Sequence, residues 1–111
     1  MKYICVKDNI YGFCLWIYYD GTIEEAIEKF PDEENYVLST KGFSIREIKN
    51  NRVTNTIWLR DWNNIPTLCH ELLHFIIRNL HWAWIQVESW KEEPVCYLYE
   101  YYLREILKKM K

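Results

Sequence analysis

The sequence predicts an α+β fold: a small, mostly antiparallel sheet packed on a long central helix and a C-terminal helix. Strand-like segments, rich in aromatic and β-branched residues, fill the first sixty positions. Helical periodicity dominates the remainder, and an Asn50-Asn51 step separates two strand-like runs. At 111 residues the chain reads as a single domain spanning 1–111. A chain of that size buries roughly 65% of its unfolded surface, enough for one core.

Tyr11 to Tyr19 (YGFCLWIYY) reads as a strand, and Asp20-Gly21 turns the chain. Thr22 is a fitting N-cap for a helix from Ile23 to Phe30, because Glu25 stands three residues on as in a capping box. Pro31 ends that helix. Tyr36 to Thr40 is a further candidate strand. Ser44 to Lys49 and Arg52 to Leu59 form the arms of a hairpin, since Asn tolerates the positive φ its turn needs. Asp61 to Asn64 is a loop. The long helix starts near Ile65-Pro66-Thr67, where proline's missing N–H would have no partner anyway. Leu68, Leu72, Ile76 and Leu80 recur at spacing four, and Leu73 and Ile77 widen that stripe. Trp82 to Trp90 fits helix and strand equally. Pro94 opens a last helix to about Lys109, with Val95, Leu98, Tyr102, Ile106 and Met110 on its apolar face.

Composition narrows the function. Half of the residues are hydrophobic and 27% are charged, so the chain is globular and not disordered. The aromatic share of 17% exceeds what a small core needs, and the surplus is expected to line a groove. A net charge of −2 without any long block of like charge does not indicate a nucleic-acid partner. No apolar run reaches membrane-spanning length, so no membrane partner is expected. Lys7 and Asp8 interrupt the first apolar stretch too early for a signal peptide, and the chain reads as cytoplasmic. Cys5, Cys14, Cys69 and Cys96 form no CxxC pair and read as buried thiols in a reducing compartment.

His70-Glu71-Leu72-Leu73-His74 is an HExxH in the middle of the best helical segment. At i and i+4 the two imidazoles share one helix face and can reach one metal ion. Glu71 is rotated about 100° from His70, so it flanks the ion and serves as a base beside it. A shuffled chain of this composition, with 3 His, carries such a motif in roughly 1% of cases. The apolar surroundings also make two unpartnered histidines and a glutamate costly to bury.

A catalytic zinc needs a third protein ligand. His81 lies about 10 Å along the helix from His74 and is too far to share the ion, which leaves it a substrate-side or packing residue. Downstream acids are Glu88, Glu92, Glu93 and Glu100. Glu93, Tyr97 and Glu100 share one face of the last helix. Glu93 is preferred, then Glu92, then Glu100. The helix dipole alone would also favour acids at that N-terminus.

Thr67-Leu68-Cys69-His70-Glu71-Leu72-Leu73-His74, followed by Glu93-Pro94-Val95-Cys96-Tyr97, resembles the gluzincin metallopeptidases. It is closest to their small single-domain members, the minigluzincins, and to short phage-type metallopeptidase domains. The likeness covers about residues 56 to 103. Pro94 directly after Glu93 departs from the family pattern. The resemblance implies a minimal zincin-like architecture and a zinc-dependent endopeptidase holding one Zn2+ per chain. It implies His70, His74 and Glu93 as ligands, with Glu71 as general base for the water that attacks a peptide bond. Tyr97 and His81 are its candidates for an oxyanion or substrate-side donor. Thr56, Ile57, Trp58 and Leu59 match the edge strand that holds an extended peptide or protein substrate.

Two alternatives remain at this level. The first is a zincin-like metal-binding regulatory or protein-interaction module without general proteolytic activity, as in ImmA-like regulators. The second is a metal-free interaction domain presenting an aromatic surface. A one-domain peptidase also raises a control problem, for which self-association or auto-inhibition by the Lys-rich C-terminus is the expected answer.

Overall fold

The computed structural model describes residues 1–31, 41–83 and 92–110. Four strands and three helices follow the order β1 (Lys2–Lys7), β2 (Cys14–Tyr19), α1 (Ile23–Lys29), β3 (Gly42–Lys49), β4 (Arg52–Leu59), α2 (Ile65–Trp82) and α3 (Glu93–Met110). The sheet order is β1-β2-β4-β3. β1 and β2 pair antiparallel, as do β3 and β4, while β2 and β4 run parallel. The fold is therefore α+β, with a mixed sheet in which antiparallel pairs predominate.

Side-chain alternation divides the sheet into two covered faces. Leu15, Ile17, Ile57 and Leu59 point to one core with Leu68, Leu72, Phe75 and Ile76 of α2 and Leu98, Tyr102 and Ile106 of α3. On the other face Trp58 packs with Ile23 and Ala26 of α1, beside Tyr18, Phe30 and Phe43. Leu68, Leu72, Ile76 and Leu80 are all fully buried. Each such side chain stabilises the fold by about 2 kcal/mol relative to exposure.

Local signals form the elements as the sequence predicts. Thr22 and Glu25 make a complete capping box at α1. Asn50 and Asn51 adopt φ of 53° and 62°, the left-handed pair a two-residue hairpin needs, and Lys49 faces Arg52 across it. The side chain of Asn64 caps α2 by accepting from the Thr67 amide, and Pro66 sits in the first turn.

Four expectations change. β2 begins at Cys14 and not at Tyr11, because Asp8 gathers the amides of Ile10, Tyr11, Gly12 and Phe13 into a loop. Residues 2–7 form an edge strand that composition did not reveal. Leu73 and Ile77 are exposed, since the buried stripe of α2 is narrower than predicted. The cysteines are not fully buried: Cys5, Cys14 and Cys69 are half-buried and Cys96 is exposed. The candidate strand Tyr36 to Thr40, residues 84–90 of the ambiguous stretch and Glu88 lie outside the described residues. Among the described residues no helix is long and apolar enough to cross a membrane.

Candidate metal centre

Helix α2 presents its buried side to both the sheet and α3, which leaves His70 and His74 on its outer face. Their Nε2 atoms are 3.2 Å apart and their rings meet nearly at right angles, with centroids 4.8 Å apart. Without an ion, one Nε2 donates to the other, and the tautomer decides which. Two imidazoles around a tetrahedral zinc, with Zn–N near 2.0–2.1 Å, hold their nitrogens about 3.3 Å apart. The observed separation therefore fits two ligands of one such ion. It arises because the one-turn spacing stacks both rings over the same helix face.

Glu71 lies one step around the helix and is buried, with Oε1 3.9 Å from the His70 Nε2. Burial pushes its carboxyl above the ordinary value, against the pull of His70, His74 and Arg78. A raised carboxyl beside two imidazoles takes up a proton more readily than an exposed one. The side chain is thus inward and the histidines outward, as the 100° rotation requires.

Glu71 shares a pocket with the start of β3. Lys41, Gly42, Pro66, Thr67, His70 and Glu71 line an open pocket of about 410 Å³. A Cβ on Gly42 would lie 2.8 Å from both the Thr67 Cγ2 and the Trp58 carbonyl oxygen, so glycine lets β3 approach α2 closely here. Arg78 Nη1 donates to the Ser44 carbonyl at 2.9 Å, tying the same two elements one step further on. Sequence reasoning missed Lys41, Gly42 and Arg78. Only the lone glycine ahead of an alternating run hinted at a close approach.

The expected substrate strand is corrected. Thr56, Ile57, Trp58 and Leu59 belong to β4, which pairs with β2 on one side and β3 on the other. It is an interior strand with all four residues buried and no free edge. The consecutive apolar run Ile57-Trp58-Leu59 is the mark of a strand covered on both faces. Among the described residues the edge strand beside α2 is β3. Lys41 accepts from the Arg60 amide, so the alternation turns the backbone of Gly42 and Ser44 outward.

The remaining candidates lie on or just before α3 and in the last turn of α2. Glu93 is the first residue of α3 and is exposed, and Glu92 precedes it, also exposed. Glu100 is exposed and pairs with Arg104. Among the described residues no group of three His, Cys, Asp or Glu side chains is gathered as a ligand set. Tyr97 is 42% exposed and stacks on Tyr101, and His81 lies exposed in the last turn of α2, edge-on to Trp82. Helices α2 and α3 meet instead through Phe75 against Tyr102. Burial first, and the neighbouring Cys69 second, push the Tyr99 phenol up to about 12. The C-terminal turn packs on β1, where Lys109 donates to the Cys5 carbonyl and Met110 is buried.

Comparison with protein-family models, with curated proteins and with solved structures gives no match.

Proposed function

We propose that this chain is a zinc-dependent endopeptidase of the gluzincin type, with His70 and His74 as metal ligands and Glu71 as general base. The observation that carries the reading is the 3.2 Å approach of the two Nε2 atoms, with the Glu71 carboxylate 3.9 Å from one of them. Glu93 is the proposed third ligand on its place after the HExxH in the sequence alone.

Zinc held there supplies a Lewis acid that polarises a peptide carbonyl. Glu71 accepts a proton at Oε1 from the attacking water and delivers it to the leaving amine. Its burial keeps that carboxyl out of bulk water beside the ion. Gly42 and the amide of Ser44 offer outward backbone groups on the β3 edge, so an extended peptide adds there as a further strand. The Ser44 carbonyl is already taken by Arg78, which leaves the donors of this edge more available than its acceptors.

A second reading is a metal-binding regulatory module that holds zinc without proteolysis. The exposure of the His70 side chain, 68%, supports it, because a hydrolase gains from shielding its reacting groups.

Metal content and peptidase activity of the wild type, His70→Ala, Glu93→Ala and Glu71→Gln test both. The expected result is about one zinc per chain, lost in His70→Ala and Glu93→Ala. Glu71→Gln is expected to keep zinc and lose cleavage. Zinc retained in Glu93→Ala moves the third ligand to Glu92 or Glu100. Zinc present with no cleavage by the wild type supports the regulatory module. No zinc after reconstitution overturns both readings.

A further inference from the structure

The sulfurs of Cys5 and Cys14 lie 3.1 Å apart. That is closer than two carbon atoms at van der Waals contact, about 3.5–4.0 Å. It is about 1 Å beyond a disulfide bond length. The register explains the meeting. Cys5 opposes Trp16 and Lys7 opposes Cys14, so the two cysteines are diagonal neighbours on one face of the β1–β2 pair. Both are half-buried, so a small oxidant reaches them. Among the described residues β1 is an edge strand, and its outer carbonyls at Cys5 and Lys7 accept from Lys109 and Tyr101 of α3, so small adjustments there displace side chains and not a further strand.

We propose that Cys5 and Cys14 are an oxidation site that forms an intrachain disulfide by exchange with a low-molecular-weight disulfide. One protein thiolate attacks a sulfur of the small disulfide and releases one small thiol. The second attacks the protein sulfur of the mixed disulfide and releases the other. Two protein thiols become one disulfide, and the small disulfide becomes two thiols carrying the two protons. Burial, then the hydrogen bond and charge of Cys14, push the Cys5 thiol up to about 11, so the exchange is slow near neutrality. Cys69 lies on α2 and Cys96 is exposed on α3, away from the β1–β2 pair.

The crosslink closes the loop between β1 and β2, whose conformation otherwise rests on Asp8 and Tyr102. Closing it removes freedom from the unfolded chain, so the oxidised form unfolds at higher temperature.

The test treats the reduced full-length chain with oxidised glutathione, alkylates remaining thiols and digests with trypsin. Cys5 and Cys14 then fall in separate peptides, 3–7 and 8–29. Expected are loss of two of the four alkylatable thiols, the mass of two hydrogens lost per chain, and a crosslink joining those peptides. Cys5→Ser and Cys14→Ala are each expected to stop at one mixed disulfide with a normal melting transition. Four thiols still alkylated, a crosslink through Cys69 or Cys96, or a disulfide-linked dimer would overturn the proposal.

Discussion

The hydroxyl of Tyr102 lies 2.9 Å from Oδ2 of Asp8 and 2.8 Å from the Phe13 carbonyl oxygen, joining α3 to a loop 94 residues earlier in the chain. Asp8 is 1% exposed, and its carboxylate also accepts from the amides of Ile10, Tyr11, Gly12 and Phe13. Gly12 permits the loop by adopting a φ of +73°. A buried carboxylate is tolerated because five donors surround it.

Asp8→Ala therefore strands several buried donors at once. Its expected cost is about 3 kcal/mol or more in urea unfolding. Tyr102→Phe keeps the ring against Phe75 and loses only the hydroxyl, for about 1–2 kcal/mol. A double-mutant cycle is expected to give coupling above about 0.5 kcal/mol. Strict additivity would show that the pair does not act together.

Alkaline pH is expected to weaken the fold. Burial first, and Asp8 second, hold the Tyr102 phenol well above the ordinary tyrosine range. A raised folded value means that the neutral phenol is the form the fold favours. Its contribution is present below about pH 10 and is lost as pH rises above the unfolded value. Tyr99 and Cys5, at about 12 and 11, act with the same sign. Urea midpoints should be flat from about pH 7 to 9 and fall above about 10. Tyr102→Phe should flatten that fall, and an unchanged slope would remove Tyr102 as a source.

Asn79 Nδ2 donates to the Asn55 side-chain oxygen and to the Phe75 carbonyl, both at 2.8 Å, inside the contact between α2 and β4. Asn55 in turn donates to the Cys14 carbonyl. Asn79→Ala leaves the buried Asn55 oxygen without that donor and is expected to cost about 1–3 kcal/mol in thermal or urea unfolding. A loss within experimental error would mean that water replaces the amide.

Gly42→Ala tests the close approach of β3 to α2. The added methyl meets a backbone carbonyl as well as the Thr67 methyl, so trimming Thr67 relieves only half the clash. Expected is a loss of about 1–3 kcal/mol, with partial recovery in Gly42→Ala/Thr67→Ala. On the proposed peptidase reading, zinc content should fall less than turnover, because the histidines ride on α2 while the pocket wall moves. Unchanged peptide cleavage would argue against docking on β3.

Capping, turn and periodicity signals were legible because they act within a few residues. Thr22 with Glu25, Asn50-Asn51, and the Leu68–Leu72–Ile76–Leu80 stripe each produce the expected local structure. The convergence of His70 and His74 was equally legible, since one helical turn is a local geometry. β1 was not, because a six-residue edge strand with two lysines carries little pattern of its own. The expected edge strand at Thr56–Leu59 was misplaced because pairing order is a long-range property. Ile57-Trp58-Leu59 signals burial on both faces but does not say which strands flank it.

The sequence by itself determined the helices, the hairpin, the α+β class and a two-histidine, one-glutamate face on α2. Each follows from side chains at most a turn or two apart, whose sterics and hydrogen bonds do not depend on the rest of the chain. Only the tertiary structure decided that, among the described residues, β3 and not β4 is the edge strand beside α2. It also set the Tyr102–Asp8 anchor and the Cys5–Cys14 approach. Those contacts join residues 94 and 9 positions apart through sheet order and register, which the core selects as a whole.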